Sequence, residues 1–141
     1  MNYEKLFGKG LIKPFKAEPS QIKSRLDLAA RDLKTAKQIL DQSSDWSYNI
    51  TYNALLQASR ALMFAEGYRP TSGEGQHRVT ILFAEVALGE GFDSEIRFFD
   101  KMRVKRNRAV YDTAGIVSES EARQAIEFAE KLIEKIREMV E

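Results

Sequence analysis

The residues of this sequence that could do chemistry are concentrated in one basic segment, Arg97 to Arg108. The segment carries six basic residues and one acidic residue, so its charge is strongly positive. On a helical projection of about 100° per residue, some of its polar side chains fall on the same face as the apolar ones. That face combines Arg103, Arg106 and Asn107 with Ile96, Phe99 and Val110.

Two interpretations of Arg103 and Arg106 are open at this point. A buried guanidinium without a partner is costly, so these side chains must meet carboxylates or open onto a cleft or interface. The first interpretation is a set of intrahelical or interhelical ion pairs. The second is an anion or phosphate site, which suits the planar fork of donors on arginine.

Tyr111 and Asp112 follow at the end of the same segment, and each also allows two interpretations. The Tyr111 ring either packs on the next helix or takes part in binding. Asp112 either caps the turn or pairs with an arginine. Lys101, Lys105 and Arg108 point the opposite way and are explained as a solvated surface.

The counts of cysteine and histidine exclude several classes of chemistry. With no cysteine, disulfides, thiolate metal sites and a cysteine nucleophile are all ruled out. With His77 as the single histidine, the chain cannot build a His-rich zinc site, and a Ser-His-Asp triad would need His77 as its base. We therefore predict no metal site and no cofactor.

The remaining composition predicts one ordinary globular domain without membrane segments. The chain has 141 residues, of which 43% are hydrophobic and 30% charged, with a net charge of +1. The near-neutral total combines the basic segment with an acidic one, because residues 118–141 carry seven acids and four bases. No apolar run approaches the length of a membrane span, and the N-terminus lacks the apolar core of a signal peptide, so we expect a cytoplasmic protein.

The apolar spacing predicts an all-α fold, an up-and-down bundle of about five helices. Residues 1–19 have no sustained periodicity and contain two prolines, so they are expected to form an irregular arm that docks through Leu11, Ile12 and Phe15. Residues 20–141 then form a single domain of helices that start near Ser20, Asp45, His77, Ser94 and Ser118, with Ser20 and Ser94 as N-caps. Ser118 to Glu121 is a capping box, and the inner stripe of the last helix is Ala122, Ile126, Ala129, Ile133, Ile136 and Val140. No strand-like alternation of useful length is present.

The second predicted helix has two apolar faces. Tyr48, Tyr52, Leu55, Ser59, Leu62 and Met63 line one face, and Gly67 provides a left-handed stop. Trp46, Ile50 and Phe64 lie on another. Such a helix either runs through the centre of a bundle or offers one face to a partner.

Several of these segments, in this order, resemble the HEPN family (higher eukaryotes and prokaryotes nucleotide-binding). Leu28 to Ala36 resembles its first helix, Tyr48 to Gly67 its tyrosine- and alanine-rich second helix, and Arg103 to Asp112 its signature helix. Gly75 to Arg78 is similar to the loop before the third helix in a prokaryotic branch. The resemblance implies a homodimer, often the toxin of a toxin-antitoxin pair beside a minimal nucleotidyltransferase.

Active members of that family are metal-independent ribonucleases, and their motif is an arginine followed a few residues later by a histidine at the dimer cleft. Arg106 and Asn107 match the start of the motif, but Tyr111 stands where the histidine belongs. Tyrosine titrates near pH 10, so it is a poor base at neutral pH. His77 could supply an imidazole from its loop, although a histidine at a helix start is commonly a cap or surface residue.

The resemblance therefore implies a binding module in which two copies line a polar cleft for a nucleotide, RNA or another anion. The expected ligand-binding residues are Arg103, Arg106, Asn107, Tyr111 and Asp112. The alternative is a ribonuclease toxin with an altered site, where Arg106 stabilises charge on the phosphate and Tyr111 orients it. A structural adaptor with both arginines in salt bridges is the third interpretation.

Overall fold

A computed structural model gives the architecture. It describes residues 2–71, 73, 75–111 and 115–141, with the side chains of 109–111 excepted. Its elements, in order, are α1 (Tyr3–Gly8), β1 (Ile12–Pro14), α2 (Pro19–Ile39), α3 (Ser44–Glu66), β2 (Tyr68–Pro70), α4 (Gln76–Leu88), a turn of 3-10 helix (Glu90–Phe92), α5 (Asp93–Tyr111) and α6 (Glu119–Val140). Each long helix contacts the next, so the predicted all-α bundle is confirmed.

Helix α3 is the central helix of the bundle. It contacts α2, α4, α5 and α6, and most of its side chains are buried. One of its two apolar faces is therefore part of the core, because Tyr48, Tyr52 and Leu55 are at most 3% exposed. The other face is only partly covered. The Phe64 ring packs on Phe15, whereas Trp46 is 56% exposed.

The helix boundaries follow local capping, and two predicted starts are wrong. Helix α2 starts at Pro19 because Glu18 forms a capping box with Gln21, so Ser20 lies inside the helix. Ser94 also lies inside a helix, because the 3-10 turn leads directly into α5 at Asp93.

Two other predicted boundary signals are confirmed. Gly67 ends α3 with φ 92°, in the left-handed region that favours glycine. The Ser118 hydroxyl accepts a hydrogen bond from the Glu121 N–H in the predicted capping box of α6.

The N-terminal arm is more regular than the sequence analysis expected. Helix α1 covers α4, with the Tyr3 ring stacked on Phe83 at 4.7 Å and Leu6 fully buried. Strand β1 pairs antiparallel with β2, with Ile12 opposite Pro70. Both elements are too short for a periodic pattern, which explains why the sequence did not reveal them. The docking of the arm is as expected, but its separation from a domain over residues 20–141 stays a prediction.

The apolar stripes of the outer helices meet α3 in one core. The stripe of α6 buries Ala122, Ile126, Ala129, Ile133 and Ile136, as the sequence predicted. Helix α5 buries Ile96, Phe99 and Met102, which fixes its rotation about its axis. Within the described residues, no helix has the length and apolar character needed to cross a membrane.

Candidate functional site

A polar cleft of about 380 Å³ lies between the first turn of α4 and the outer side of α5. The residues that line it are Gly73, Gly75, Gln76, His77, Arg78, Arg103 and Asn107. Burial of Phe99 directs Arg103, one turn later, toward the edge of the core. Gly75, with φ 84°, provides the left-handed turn from which α4 starts and His77 projects.

Arg103 shares a carboxylate with a second arginine. Its Nε donates to Asp100 Oδ1 at 3.1 Å, and Arg78 Nη1 lies 3.1 Å from the same oxygen. The Arg103 side chain is 29% exposed and that of Asp100 is 33% exposed, so the pair stands at the cleft and not in the core. Arg103 therefore forms an ion pair and also lines the cleft, and one carboxylate pairs with two guanidiniums.

Arg106 is held by neutral groups. Its Nε donates to Asn49 Oδ1 at 2.7 Å, and its guanidinium lies over the Tyr52 ring at 5.6 Å from the ring centre. Its Nη1 also donates to Asn107 Oδ1 at 3.4 Å. No carboxylate of the described residues forms an ion pair with Arg106; an amide and an aromatic ring orient its guanidinium.

His77 lies among these arginines. Its Nδ1 shares a hydrogen bond with the Tyr52 hydroxyl at 3.2 Å. Burial lowers the pKa of His77 below its usual value, and the nearby charges of Arg106, Arg60 and Arg103 lower it further. Burial also raises the pKa of Tyr52, so the tyrosine keeps its proton at pH 7. The lowered pKa of His77 favours the neutral form of its imidazole.

Arg60 closes the inner side of the site. Its Nε donates to Thr80 Oγ1 at 2.9 Å, and burial lowers its pKa, with a further contribution from the charge of Arg25. We define the His77 cluster as the charged and titratable groups of this region together. They are Arg60, His77, Arg78, Asp100, Arg103 and Arg106. Among the described residues of this region, four arginines thus stand beside one carboxylate, Asp100.

The structure brings together part of the predicted site. Arg103 and Asn107 line the cleft, and Arg106 joins them through Tyr52 and Asn107. Tyr111 is the last residue of α5, but its side chain, like all of Asp112, lies outside the described residues.

One surface expectation needs correction. Lys101 and Arg108 are exposed as predicted. Lys105 is instead half-buried in an ion pair with Glu121, because α6 packs along that side of α5.

Sequence reasoning missed the contributions of α3, whereas it named His77 of α4 as a possible source of an imidazole. Arg60 is the one basic residue of α3, and a lone guanidinium between alanines and leucines was a usable signal. Tyr52 gave no signal, because its position fits a core tyrosine equally well. Within the part of the chain that is described, no three histidine or acidic side chains group into a metal site.

The structure is an all-α bundle with an arginine-lined cleft, and the comparisons give the family. The model of the HEPN domain matches residues 22–139, so the chain belongs to the HEPN domain family, and the resemblance in the sequence is confirmed. At the family level this makes it a nucleotide- or RNA-related module.

One solved structure shows how far the fold is shared. The chain resembles the protein TT1696 from Thermus thermophilus, with a TM-score of 0.65 and 19% sequence identity. The match covers 84% of this chain and 97% of that chain. At this identity the likeness concerns the fold alone. The comparison with curated proteins finds no match.

Proposed function

We propose that this HEPN domain is a non-catalytic binding module whose His77 cluster binds a phosphate group of a nucleotide or RNA. The observation that carries the proposal is that, among the described residues, half-buried arginines outnumber carboxylates around an open polar cleft. Charges held in such positions are screened less than surface charges, so an anion entering the cleft gains more than it would at the surface.

The geometry supports a phosphate more than a cation. Arg103 and Arg78 already converge on one oxygen of Asp100, which shows that both side chains reach a common acceptor. The Asn107 side chain and the first turn of α4 add donors, since Gly75 has no side chain to cap the N–H groups there. A phosphate in the cleft would receive hydrogen bonds from several of these groups.

The proposal is tested by binding of adenosine monophosphate and of a labelled single-stranded RNA. We expect Arg103→Ala to weaken both about 10-fold or more, because a charge-assisted hydrogen bond contributes about 1.5–3 kcal/mol. Affinity should fall steeply with salt as counterions are released. Arg123→Ala is the matched control, since Arg123 pairs with Glu119 on the exposed side of α6. Equal affinity of the wild type and Arg103→Ala would refute the proposal.

We further propose that the module acts as a homodimer and that a minimal nucleotidyltransferase is its partner in a toxin-antitoxin pair. Family membership supports both statements. Sizing of the free protein tests the first, because a particle of 16.1 kDa instead of twice that mass would contradict it. Co-purification with a nucleotidyltransferase encoded beside it tests the second.

A metal-independent ribonuclease is the second candidate, and one observation favours it. The neutral imidazole of His77 lies in the cluster with Arg103 and Arg106, where it could accept a proton beside a bound phosphate. Incubation with RNA and a chelator separates the candidates. Cleavage that both His77→Ala and Arg106→Ala abolish would establish the ribonuclease, and no cleavage at high protein excess would exclude it.

A further inference from the structure

Trp46 is a large apolar side chain that the fold leaves uncovered. It is 56% exposed, and it stands in the first turn of α3. Its backbone is fixed, because its N–H donates to the Ser43 hydroxyl at 3.2 Å in the cap of the helix. The indole therefore projects from a rigid base and not from a loop.

The neighbour of Trp46 on the same side of α3 is Asn49, which orients Arg106. Side chains three residues apart on a helix are neighbours, with Cβ atoms about 5–6 Å apart. The Asn49 amide oxygen accepts from Arg106 Nε at 2.7 Å. Trp46 is thus the i−3 neighbour, on the same side of α3, of the residue that orients the Arg106 guanidinium.

This juxtaposition selects a ligand with two chemical parts. The guanidinium attracts an anionic group, and an exposed indole face stacks on a flat aromatic group. A nucleotide carries both parts, whereas inorganic phosphate carries the anion alone. Stacking of a base on an aromatic side chain contributes enough to change affinity severalfold or more.

We propose that Trp46 is a base-stacking subsite beside the His77 cluster, so that the ligand is a nucleotide or single-stranded RNA and the base next to the bound phosphate lies on the indole. The inference rests on the proposed function, and it adds the recognition of a base to that of a phosphate. Because stacking accepts any base, the subsite gives little preference among sequences.

The experiment uses the emission of Trp46, which is the single tryptophan of the chain. Adenosine monophosphate and a short oligoadenylate are titrated into the full-length protein, with excitation at wavelengths that adenine does not absorb. We expect both to quench the emission, and inorganic phosphate to compete with them without quenching. Binding is measured in parallel by calorimetry.

Variants of Trp46 separate stacking from a general effect on the fold. We expect Trp46→Ala to weaken oligoadenylate binding about 10-fold and to leave the affinity for inorganic phosphate within twofold. Trp46→Phe should retain most of the affinity. Phe7→Ala is the matched control, because Phe7 is a similarly exposed aromatic residue, 52% exposed on α1. A thermal melt of each variant checks that it is folded.

The other results overturn the inference in distinguishable ways. Suppose that Arg103→Ala weakens oligoadenylate binding, but that oligoadenylate does not change the Trp46 emission and that Trp46→Ala binds it as tightly as the wild type. This result overturns the subsite and leaves the proposed function standing. Emission that changes with protein concentration and not with ligand shows that Trp46 faces a second copy, which also overturns it. If none of the three probes binds, the proposed function and the subsite fail together.

Discussion

Charged side chains are paired differently on the two sides of α5. On the side that faces α6, cations and carboxylates are matched one to one, with Lys105 paired to Glu121 and Lys131 paired to Glu95. The lysine hydrogen bond is the main reason that the pKa of each carboxyl lies below its usual value. On the side that faces α4, the arginines outnumber the one carboxylate of the cluster, Asp100.

We infer that the matched ion pairs on the α6 side stabilise the bundle and that the excess positive charge on the α4 side is available to a ligand. A matched ion pair between helices forms when the protein folds, so it contributes to the free energy of unfolding. An excess of cations makes folding less favourable through their mutual repulsion, and an anion that binds later relieves that repulsion. We therefore propose that the α5–α6 pairs contribute to stability and that the His77 cluster contributes to binding.

Charge reversal on the two sides of α5 should have the largest and most divergent effects. Arg103→Glu should weaken binding of adenosine monophosphate about 100-fold or more, because it removes a donor and adds repulsion toward the phosphate. Lys105→Glu should leave binding within twofold and lower the free energy of unfolding by about 1 kcal/mol. Calorimetry and urea denaturation measure the two quantities. Loss of binding in Lys105→Glu would break the comparison.

Glu95→Gln tests the stabilising side alone. Glu95 is 5% exposed and accepts from Lys131, so its loss should lower the free energy of unfolding by about 1–3 kcal/mol at pH 7. Since the pKa of Glu95 is lowered in the folded state, its contribution is complete above the ordinary glutamate pKa. It is lost as the pH falls through the lowered pKa, so the variant and the wild type should converge in acid.

Urea denaturation over a series of pH values checks this expectation. Glu119→Gln is the control, because its partner Arg123 and Glu119 itself are both more than half exposed. A pH-independent difference between Glu95→Gln and the wild type would show that packing, and not charge, causes the effect.

Asp100→Asn should sharpen the comparison by increasing the excess of cations. Without the carboxylate that Arg78 and Arg103 share, the affinity for adenosine monophosphate should rise about fivefold. Binding isotherms at two salt concentrations measure the gain, which should shrink at high salt. Weaker binding would show that Asp100 acts chiefly by orienting the two guanidiniums.

The smallest expected change is in the titration of His77, which a nuclear magnetic resonance experiment follows without assignment because the chain has one histidine. Its pKa should lie below the usual 6.5, and Arg106→Ala should raise it. Bound phosphate should raise it as well. Since the folded protein disfavours protonated His77, its contribution to stability is present above pH 6.5 and is lost as the pH falls through the lowered pKa. A pKa above 6.5 in the free protein would contradict the excess of cations.

The fold was predictable to within a few residues, because most of its signals are local. The periodicity of α6 and its capping box at Ser118 are written in consecutive residues, as is the stop at Gly67. The misplaced starts arose where two capping signals compete, as Glu18 and Ser20 do before α2. Short elements such as α1 and β1 form through contacts with α4 and β2, and these contacts have no local signature.

The site was predictable from one helix only. The sequence by itself determined that α5 presents Arg103, Arg106 and Asn107 beside an apolar stripe, because a helix places residues three and four apart on one face. It also determined the family, whose segments follow one another along the chain.

Only the tertiary structure decided which groups these arginines meet. It placed Tyr52 against His77, 25 positions along the chain, and Asn49 against Arg106, 57 positions along. Such contacts depend on how three helices pack around one core, and no periodicity within a single helix specifies that packing. His77, which the sequence placed at the start of the third helix, therefore stands among the arginines in the folded protein.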